Sequence, residues 1–466
     1  MRAFSVAALA LPAIVAAVCS DHKPEPAHPE LVRRLERRQR GESSSAASTR
    51  TSSAAASGAT AAPGAVNPFV EGAPPLPDWQ QLDLSEFPEL DRIPPINSPK
   101  VQQWIREVGD RLPNIPLTGL NGCSNSTFNA QALKDAGADA NCWWTCGGCT
   151  RDSDVTVCPA DKRAFGMSFD DGPSDDTPRL LDYLDSEDLK STFFVVGSRV
   201  LSRPETLQDL YMRGMSVSLH TWSHPSLTTL SNEEIIAELG WSKEVIKAVI
   251  GVTPTTMRPP YGDIDDRVRA ICEAMDLKPI IWTSVGDVNF DTDDWRMSDT
   301  ANPYTQEQIL ENFDNFLSLS EQLTTGFIVL AHDLYTRSVD FAIQTMIPRA
   351  MRYTPKLDLM PIVTCQGLDY TEDYVETRTG SNSTSSASSS AADGEESSTR
   401  AASRSSTASR SGTSSTTGAG PSQSGSRTAS SGNQEVSPTN RPSSSGTKMT
   451  LGAGVAVGIL SSILLL

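Results

Sequence analysis

The chain has 466 residues, of which 57 are acidic and 39 are basic, so its formal net charge is −18 at neutral pH. This acidic balance argues against nucleic acid as a partner, because contact with a phosphate backbone requires basic patches. The length allows two or three domains, but much of the sequence is low in complexity and is not globular material.

The first 20 residues have the order of a secretory signal peptide. Arg2 is followed by an apolar run from Ala3 to Val18 and then by small residues. A transmembrane anchor is the alternative, although it requires a longer apolar run. We therefore expect residues 1–20 to be removed from a secreted protein, and residues 21–65 to be a propeptide candidate and a Ser/Ala-rich linker.

A second apolar segment covers residues 449–466, after a Ser/Thr-rich stretch over residues 371–448 that predicts a disordered stalk. Small residues, a polar spacer and a terminal apolar tail form a glycosylphosphatidylinositol (GPI) attachment signal, with Ser431 or Ser430 as the attachment residue. A C-terminal transmembrane helix is the alternative, but the tail is short and no charged residue follows it. The expected location is the cell wall and, through the lipid anchor, the outer face of the plasma membrane.

The chain has eight cysteines, and loss of Cys19 with the signal peptide leaves seven in an oxidising compartment. Cys158 and Cys365 bracket the central region, and a disulfide between them would close it. Cys272 falls in a helical pattern and is expected to be a free buried thiol. The remaining four form a local cluster that predicts two disulfides or, alternatively, a zinc site: Cys123, Cys142, Cys146 and Cys149.

Residues 66–154 form a Pro-rich and Cys-rich N-terminal region, in which the pattern predicts one helix near residues 101–111. Asn125 begins an N-glycosylation sequon, and Asn382 begins a second one in the expected stalk.

From residue 155 to residue 370, apolar strand candidates alternate with helical patterns. The clearest helix covers residues 232–250, with Ser231 and Glu234 forming a capping box before it. The alternation predicts an α/β fold, and about seven parallel strands indicate a distorted (β/α) barrel, with the small disulfide-rich lobe on its N-terminal side. The strands are predicted over residues 164–169, 191–196, 215–219, 255–258, 278–283, 326–330 and 359–364.

Carboxylates and histidines follow three of these strand candidates. Asp170 and Asp171 come after the first, His220 and His224 after the third, and His332 after the sixth. Successive strand side chains point to opposite faces, so the two aspartates can take different roles, although a solvated acidic turn is the alternative. One aspartate and two histidines leave positions on zinc for water and substrate, which is typical of a catalytic site.

Two more loops follow strand candidates. The two prolines after Arg258 have no N–H, so the amide of Tyr261 is expected to be a rigidly presented donor. The loop from Asp291 to Trp295 supplies carboxylates beside an aromatic wall. The alternatives are a stiff loop with a packed tyrosine and a polar loop with a half-buried tryptophan.

These motifs, taken in order, resemble those of the polysaccharide deacetylase family, and in particular of its fungal chitin deacetylases. The resemblance covers roughly residues 120–370, and the Cys-rich lobe and Ser/Thr-rich stalk are similar to those of fungal members. The main departure is Ser168, where the family often has threonine. The five motifs are Ser168-Phe-Asp-Asp-Gly-Pro173, His220-Thr-Trp-Ser-His224, Arg258-Pro-Pro-Tyr261, Asp291-x-x-Asp-Trp295 and Leu330-Ala-His332.

The resemblance implies a metal site and a base. Asp171, His220 and His224 would hold a divalent cation, zinc or alternatively cobalt, which lowers the pKa of bound water to about 7. Asp170 would be the general base, and Arg258 would keep it ionised and oriented.

The resemblance also implies an acid and a substrate pocket. His332 would protonate the leaving amine, with Asp294 orienting its ring. The Tyr261 amide would stabilise the oxyanion, and Trp295 and Leu330 would enclose the acetyl methyl group.

The implied function is metal-dependent hydrolysis of the N-acetyl groups of chitin to chitosan and acetate, in a fungal cell wall, by a monomer that binds chitin or chitin oligomers. One alternative keeps the fold but changes the polymer to peptidoglycan or acetylxylan. The other is a non-catalytic polysaccharide-binding wall glycoprotein, which predicts a broken site. In this sequence the base, the ligands, the arginine and the acid are all present.

Overall fold

The computed structural model describes residues 61–378, apart from positions 139, 160 and 287. The expected signal peptide, most of the linker, most of the stalk and the lipid-anchor signal lie outside the described residues, as do Asn382, Ser430 and Ser431. The first residues of the expected stalk, 371–378, are instead part of the folded region, where Asp373 and Tyr374 are buried. Among the residues described, no helix is both long enough and apolar enough to cross a membrane.

The described residues form one main sheet and a small hairpin. In the main sheet the strands run in the order β1-β9-β2-β3-β4-β5-β6, and β10 pairs with β2 beside this path. All pairings in it are parallel except that of β1 with β9, which confirms the predicted α/β barrel. The strands are β1 (Val157–Cys158), β2 (Ala164–Asp170), β3 (Thr192–Val195), β4 (Ser216–Leu219), β5 (Thr256–Met257), β6 (Lys278–Pro279), β7 (Ser284–Val285), β8 (Val288–Asn289), β9 (Gly326–His332) and β10 (Asp358–Met360).

Strands β2 and β9 form the centre of the sheet. Every residue of both strands is buried, as expected for parallel strands that are covered on both faces. Their register makes Asp170 the partner of His332, and the β2–β3 register makes Asp170 the partner of Phe194. The sheet therefore brings the ends of the first and sixth predicted strands together.

An irregular segment, rather than another regular strand, follows β6. The N–H of Thr283 donates to the carbonyl of Ile328 at 3.1 Å, and the N–H of Leu330 donates to the carbonyl of Phe290 at 3.0 Å. The strand predicted over residues 278–283 consequently ends at Pro279, and the segment after it contains the β7–β8 hairpin.

Helices lie between most of the parallel strands. The helix predicted near residues 101–111 begins two residues earlier than expected, at Pro99. It ends at Val108, before Gly109, whose φ of 74° favours glycine. The helices are α1 (Pro99–Val108), α2 (Ala130–Lys134), α3 (Trp144–Gly147), α4 (Thr177–Ser186), α5 (Gly197–Ser202), α6 (Pro204–Met212), α7 (Asn232–Ile250), α8 (Asp266–Ala274), α9 (Gln306–Ser320), α10 (Thr336–Phe341), α11 (Ile347–Met351) and α12 (Ile362–Cys365).

The predicted helix over residues 232–250 has the expected bounds. Ser231 and Glu234 form the capping box, and the left-handed Gly251 ends the helix with a φ of 83°. The strand predicted over residues 359–364 was wrong in its second half, where α12 begins. The N–H of Ile362 there donates to the side-chain hydroxyl of Thr192 at 2.9 Å instead of joining the sheet.

Disulfides hold two parts of the chain. Cys158 in β1 is bonded to Cys365 in α12, across 207 residues of sequence. The local cluster contains the pairs Cys123–Cys146 and Cys142–Cys149, so the four cysteines form disulfides and not the alternative zinc site. Cys272 is buried and free, as predicted.

Candidate metal and catalytic site

Three side chains from the ends of two strands converge on one point. Nitrogen atoms of His220 and His224 and a carboxylate oxygen of Asp171 all lie within 4.8 Å of one another. Asp171 Oδ1 is 3.0 Å from Nε2 of His224 and 3.4 Å from Nε2 of His220. Asp171 has a φ of 77°, so the chain turns sharply directly after β2.

The hydrogen bonds around this cluster fit a bound cation. Nδ1 of His220 is 2.8 Å from the carbonyl of Arg258, and a carbonyl only accepts, so Nδ1 carries the proton. Nε2 of His220 is then left to face Asp171 Oδ1 at 3.4 Å, and that oxygen is buried without a hydrogen-bond partner. A cation between the imidazole nitrogens and the carboxylate would satisfy all of these atoms, and the donor set suits zinc.

His224 has the protonation state that coordination needs. Burial lowers its pKa to about 4, although the neighbouring Asp171 opposes this shift, so the imidazole is neutral at physiological pH. Its Nδ1 lies 3.1 Å from the hydroxyl of Tyr261, which helps to orient the ring. Tyr261 itself has a φ of 60°, and its contact with His224 was not predicted.

A buried carboxylate supports the loop between the two histidines. Glu238 in α7 is fully buried and accepts hydrogen bonds from the N–H groups of Trp222 and Ser223, both at 2.8 Å. The loop needs support, since Thr221 and His224 have φ values of 63° and 62°. The sequence analysis missed Glu238, although an acidic residue on the apolar stripe of a helix was a usable signal.

Asp170 lies at the end of β2 and pairs with Arg258. The distance from Asp170 Oδ1 to Arg258 Nη1 is 2.7 Å, and the guanidinium lies 4.0 Å from the centre of the Phe194 ring. Burial raises the pKa of Asp170, and the charge of Arg258 opposes that rise. Ser168, to which the sequence analysis assigned no role, accepts a hydrogen bond from the same Nη1 at 2.8 Å and so helps to place the guanidinium.

His332 is held by Asp294 through two hydrogen bonds. Nδ1 of His332 is 2.6 Å from Oδ1 of Asp294, and the backbone N–H of His332 donates to Oδ2 at 3.1 Å. Burial lowers the pKa of His332, but the Asp294 carboxylate outweighs it and raises that pKa to about 10. The Nε2 atom of a protonated His332 can therefore donate a proton.

A cleft of about 570 Å³ contains these groups. Eight of the ten predicted metal, acid–base and substrate-binding residues line it, while Arg258 and Asp294 lie behind it and are fully buried. The cleft is also lined by residues 118–122 and 143–148 of the disulfide-rich region, a contribution that the sequence analysis missed. The eight lining residues are Asp170, Asp171, His220, His224, Tyr261, Trp295, Leu330 and His332.

Comparison with known proteins relates the chain to deacetylases. The profile of the polysaccharide deacetylase family matches residues 158–280. Chitin deacetylase 1 of Cryptococcus neoformans var. grubii is 49% identical over 332 residues, which are 70% of this chain and 68% of that protein. Chitin deacetylase of Amylomyces rouxii is 31% identical over 344 residues, which are 70% of this chain and 78% of that protein.

Among solved structures, the chitin deacetylase from the fungal pathogen Colletotrichum lindemuthianum is 26% identical to this chain. Its superposition has a TM-score of 0.43 and covers 49% of this chain and 97% of that one.

Proposed function

The chain belongs to the polysaccharide deacetylase family, and on this premise we propose that it hydrolyses the N-acetyl groups of N-acetylglucosamine units in chitin. The products are glucosamine units and acetate. The observation that carries the proposal is that one cleft holds the Asp171–His220–His224 cluster together with Asp170 and His332.

Asp171, His220 and His224 would hold a divalent cation, zinc or alternatively cobalt. When bound, such a cation polarises a carbonyl and lowers the pKa of water to about 7. The carbonyl of Arg258 and the hydroxyl of Tyr261 keep the two imidazoles directed at the shared point.

Asp170 takes the proton from the water that attacks the acetyl carbonyl. It is suited to this role because it is buried in the cleft and its Oδ1 is fixed by Arg258, which leaves Oδ2 for the water. Burial alone would make the carboxylate hard to ionise, and the adjacent guanidinium favours its charged form.

His332 gives a proton to the nitrogen that leaves. Its pKa of about 10 means that it enters the reaction protonated at neutral pH, and Asp294 fixes the orientation of its ring. A group of this kind typically contributes about 10²–10⁴-fold to the rate.

The remaining predicted residues bind the acetyl group. The backbone N–H of Tyr261 stabilises the oxyanion, and removal of one such donor typically costs about 10²–10³-fold in kcat. Trp295 and Leu330 line the cleft and pack against the acetyl methyl group.

The polymer is assigned to chitin because the relatives that match most of this chain are named chitin deacetylases. The test is acetate release by the zinc-loaded protein from chitin oligomers, peptidoglycan and acetylated xylan, with a chelator-treated sample as control. We expect release from chitin oligomers to be fastest and to stop after chelation. Faster release from either other polymer would overturn the assignment, and no release from any would favour a non-catalytic wall glycoprotein.

The proposed location is the cell wall and the outer face of the plasma membrane, where the protein acts as a monomer. The predicted GPI signal, with attachment at Ser431 or Ser430, supports this location. A phospholipase specific for GPI anchors should release the protein from cells, and retention after treatment would contradict the lipid anchor.

A further inference from the structure

The cystine lobe, which we define as residues 118–149, shapes the cleft as well as covering the barrel. Residues 118–122 and 143–148 of this lobe line the same cleft as the proposed metal ligands. The cleft volume of about 570 Å³ is that of a site for a small organic molecule, far more than one acetyl group needs. The lobe side of the cleft is therefore available to another part of the substrate.

A buried carboxylate is one of the groups that fix the lobe to the barrel. Oδ1 of Asp263 accepts from the indole N–H of Trp143 at 2.7 Å and from the hydroxyl of Thr145 at 2.9 Å. Its Oδ2 accepts from the N–H and the hydroxyl of Thr228, at 3.0 and 2.7 Å. With the two disulfides, these bonds hold the lobe side of the cleft in place before any substrate binds.

Trp144 forms part of this fixed surface. Its N–H donates to the carbonyl of Ile264 at 3.0 Å, and its ring packs edge-on against Trp282 with centroids 4.7 Å apart. Gly262 leaves the room for that ring, because a Cβ at this position would lie 2.2 Å from it. The indole is half-buried and lines the cleft.

Leu120 adds an exposed apolar side chain to the same surface. It is 64% exposed, which alone would be unremarkable, but it also lines the cleft, as Trp144 does. Asn125 donates from its side chain to the carbonyl of Leu120 at 3.1 Å and helps to position this part of the lobe.

The lobe surface of the cleft has no charged side chains, which favours a neutral ligand. Residues 118–122 and 143–148 contain no charged side chain, although the whole chain has a net charge of −18. Apolar and aromatic side chains pack against the C–H faces of pyranose rings, and the exposed backbone of the lobe can bond their hydroxyl and acetamido groups. Acetylated sugar units, which are neutral, match this surface better than glucosamine units, which carry a positive charge when protonated.

We propose that the cystine lobe is a saccharide-binding subsite, in which Leu120 and Trp144 hold neutral N-acetylglucosamine units that neighbour the unit being deacetylated. The proposal rests on the proposed function for the identity of the reacting unit. Its consequence is a preference for longer, acetylated chains, because units held by the lobe add binding energy that a short oligomer cannot supply.

The test measures the affinity of the full secreted chain for chitin oligomers by titration calorimetry, in an Asp170→Asn background that prevents turnover. Leu120→Ser removes the exposed apolar side chain from the lobe. Leu117→Ser is the matched control, since Leu117 lies directly before the lobe and is also exposed, at 48%, but does not line the cleft. Both substitutions are at the surface and leave the disulfides and Asp263 untouched.

We expect Leu120→Ser to raise the Kd for the N-acetylglucosamine hexamer by roughly threefold to tenfold, as loss of a partly buried leucine contact predicts. The Kd of Leu120→Ser for the dimer should equal that of the unsubstituted background, and Leu117→Ser should not change the Kd for either oligomer. An unchanged hexamer Kd in Leu120→Ser, or an equal change for dimer and hexamer, would overturn the subsite.

A separate measurement distinguishes this outcome from failure of the proposed function. Acetate release by the unsubstituted protein tests the reaction, whereas oligomer binding tests the lobe. A Leu120-dependent hexamer Kd without acetate release would retain the subsite and reject the deacetylase. Acetate release together with a hexamer Kd that does not depend on Leu120 would retain the deacetylase and reject the subsite.

Discussion

The barrel side and the lobe side of the cleft are built by different means. On the barrel side, strand register places Asp170 beside His332, and side chains at the strand ends carry the proposed chemistry. In its described residues the lobe side has only short helices, such as α2 and α3, and two disulfides with the Asp263 hydrogen bonds hold the surface. The barrel side is rich in titratable groups, whereas the lobe side has none at the cleft surface.

The difference indicates a division of roles. The barrel side needs positions that are fixed within a few tenths of an ångström, and buried parallel strands supply them. The lobe side needs only shape and an apolar surface, which a short cross-linked segment can supply. Substitutions on the barrel side should therefore reduce turnover for every substrate, while those on the lobe side should reduce the binding of long ones.

The largest effect is expected at the proposed acid. His332→Gln removes the proton donor and should lower kcat by about 10²–10⁴-fold for dimer and hexamer alike. Acetate release measured at both chain lengths checks this. Metal affinity is the control and should not change, because His332 is not in the ligand cluster. A loss confined to the hexamer would contradict the division between the two sides.

The next effect concerns the loop that carries two metal ligands. Glu238→Leu removes both oxygens, one of which accepts from two N–H groups and the other from the Ser223 hydroxyl, so the loop should lose its geometry. We expect metal affinity to fall by about 10–100-fold, measured by competition with a chelator.

Glu234→Leu is the matched control for that variant, because Glu234 lies one turn earlier in the same helix and only caps its start. Its metal affinity should stay unchanged. Equal affinities in both variants would show that Glu238 does not position the ligands.

On the lobe side, Asp263→Asn should loosen the attachment of the lobe. The carboxylate oxygens accept from four donors, two on each oxygen. An asparagine has one oxygen and one NH2 group, so the donors that face the NH2 group lose their acceptor. The expected cost is about 2 kcal/mol in unfolding free energy. Hydrogen exchange should accelerate in residues 143–148 more than in β2 and β9. Asp135→Asn, at the lobe surface, is the control, and uniform acceleration across the barrel would contradict a local role.

The smallest effect is expected at Asp373, a buried carboxylate that contrasts with Asp263. One of its oxygens has no hydrogen-bond partner, and burial raises its pKa to about 7. The folded state thus binds the proton more tightly than the unfolded state, so stability falls as pH rises from about 4 to about 7. Asp373→Asn should equal the wild type near pH 4 and exceed it by about 1–2 kcal/mol at pH 8 in denaturant unfolding. A variant that is less stable at pH 8 would contradict this.

Sequence patterns predicted the parts of the fold that depend on local hydrophobicity. Fully apolar runs identified β2 and β9, and the capping box identified α7 to the residue. The segment after Pro279 was not predictable, because its hydrogen bonds go to β9, about 40 to 45 residues later in the chain. The second half of the strand predicted over residues 359–364 was wrong because Thr192 captures a backbone N–H.

The site residues also divide into those that local sequence motifs predicted and those that depend on distant packing. Asp171, His220 and His224 were predicted to lie together because their motifs follow strand ends, and the structure brings them together. The contacts of Ser168 with Arg258 and of Glu238 with the histidine loop depend on side-chain packing between distant segments. The sequence identified the Cys-rich lobe but did not place it at the cleft, because a surface recognised by shape needs no particular titratable group.

The most direct test of the central claim compares the wild type with Asp170→Asn, both loaded with zinc, in acetate release from chitin oligomers with metal content measured in parallel. The account predicts that the wild type releases acetate, and that the variant releases none while retaining one zinc per chain. An active Asp170→Asn variant would contradict the assignment of Asp170 as the base, and loss of zinc from that variant would contradict its separation from the metal ligands.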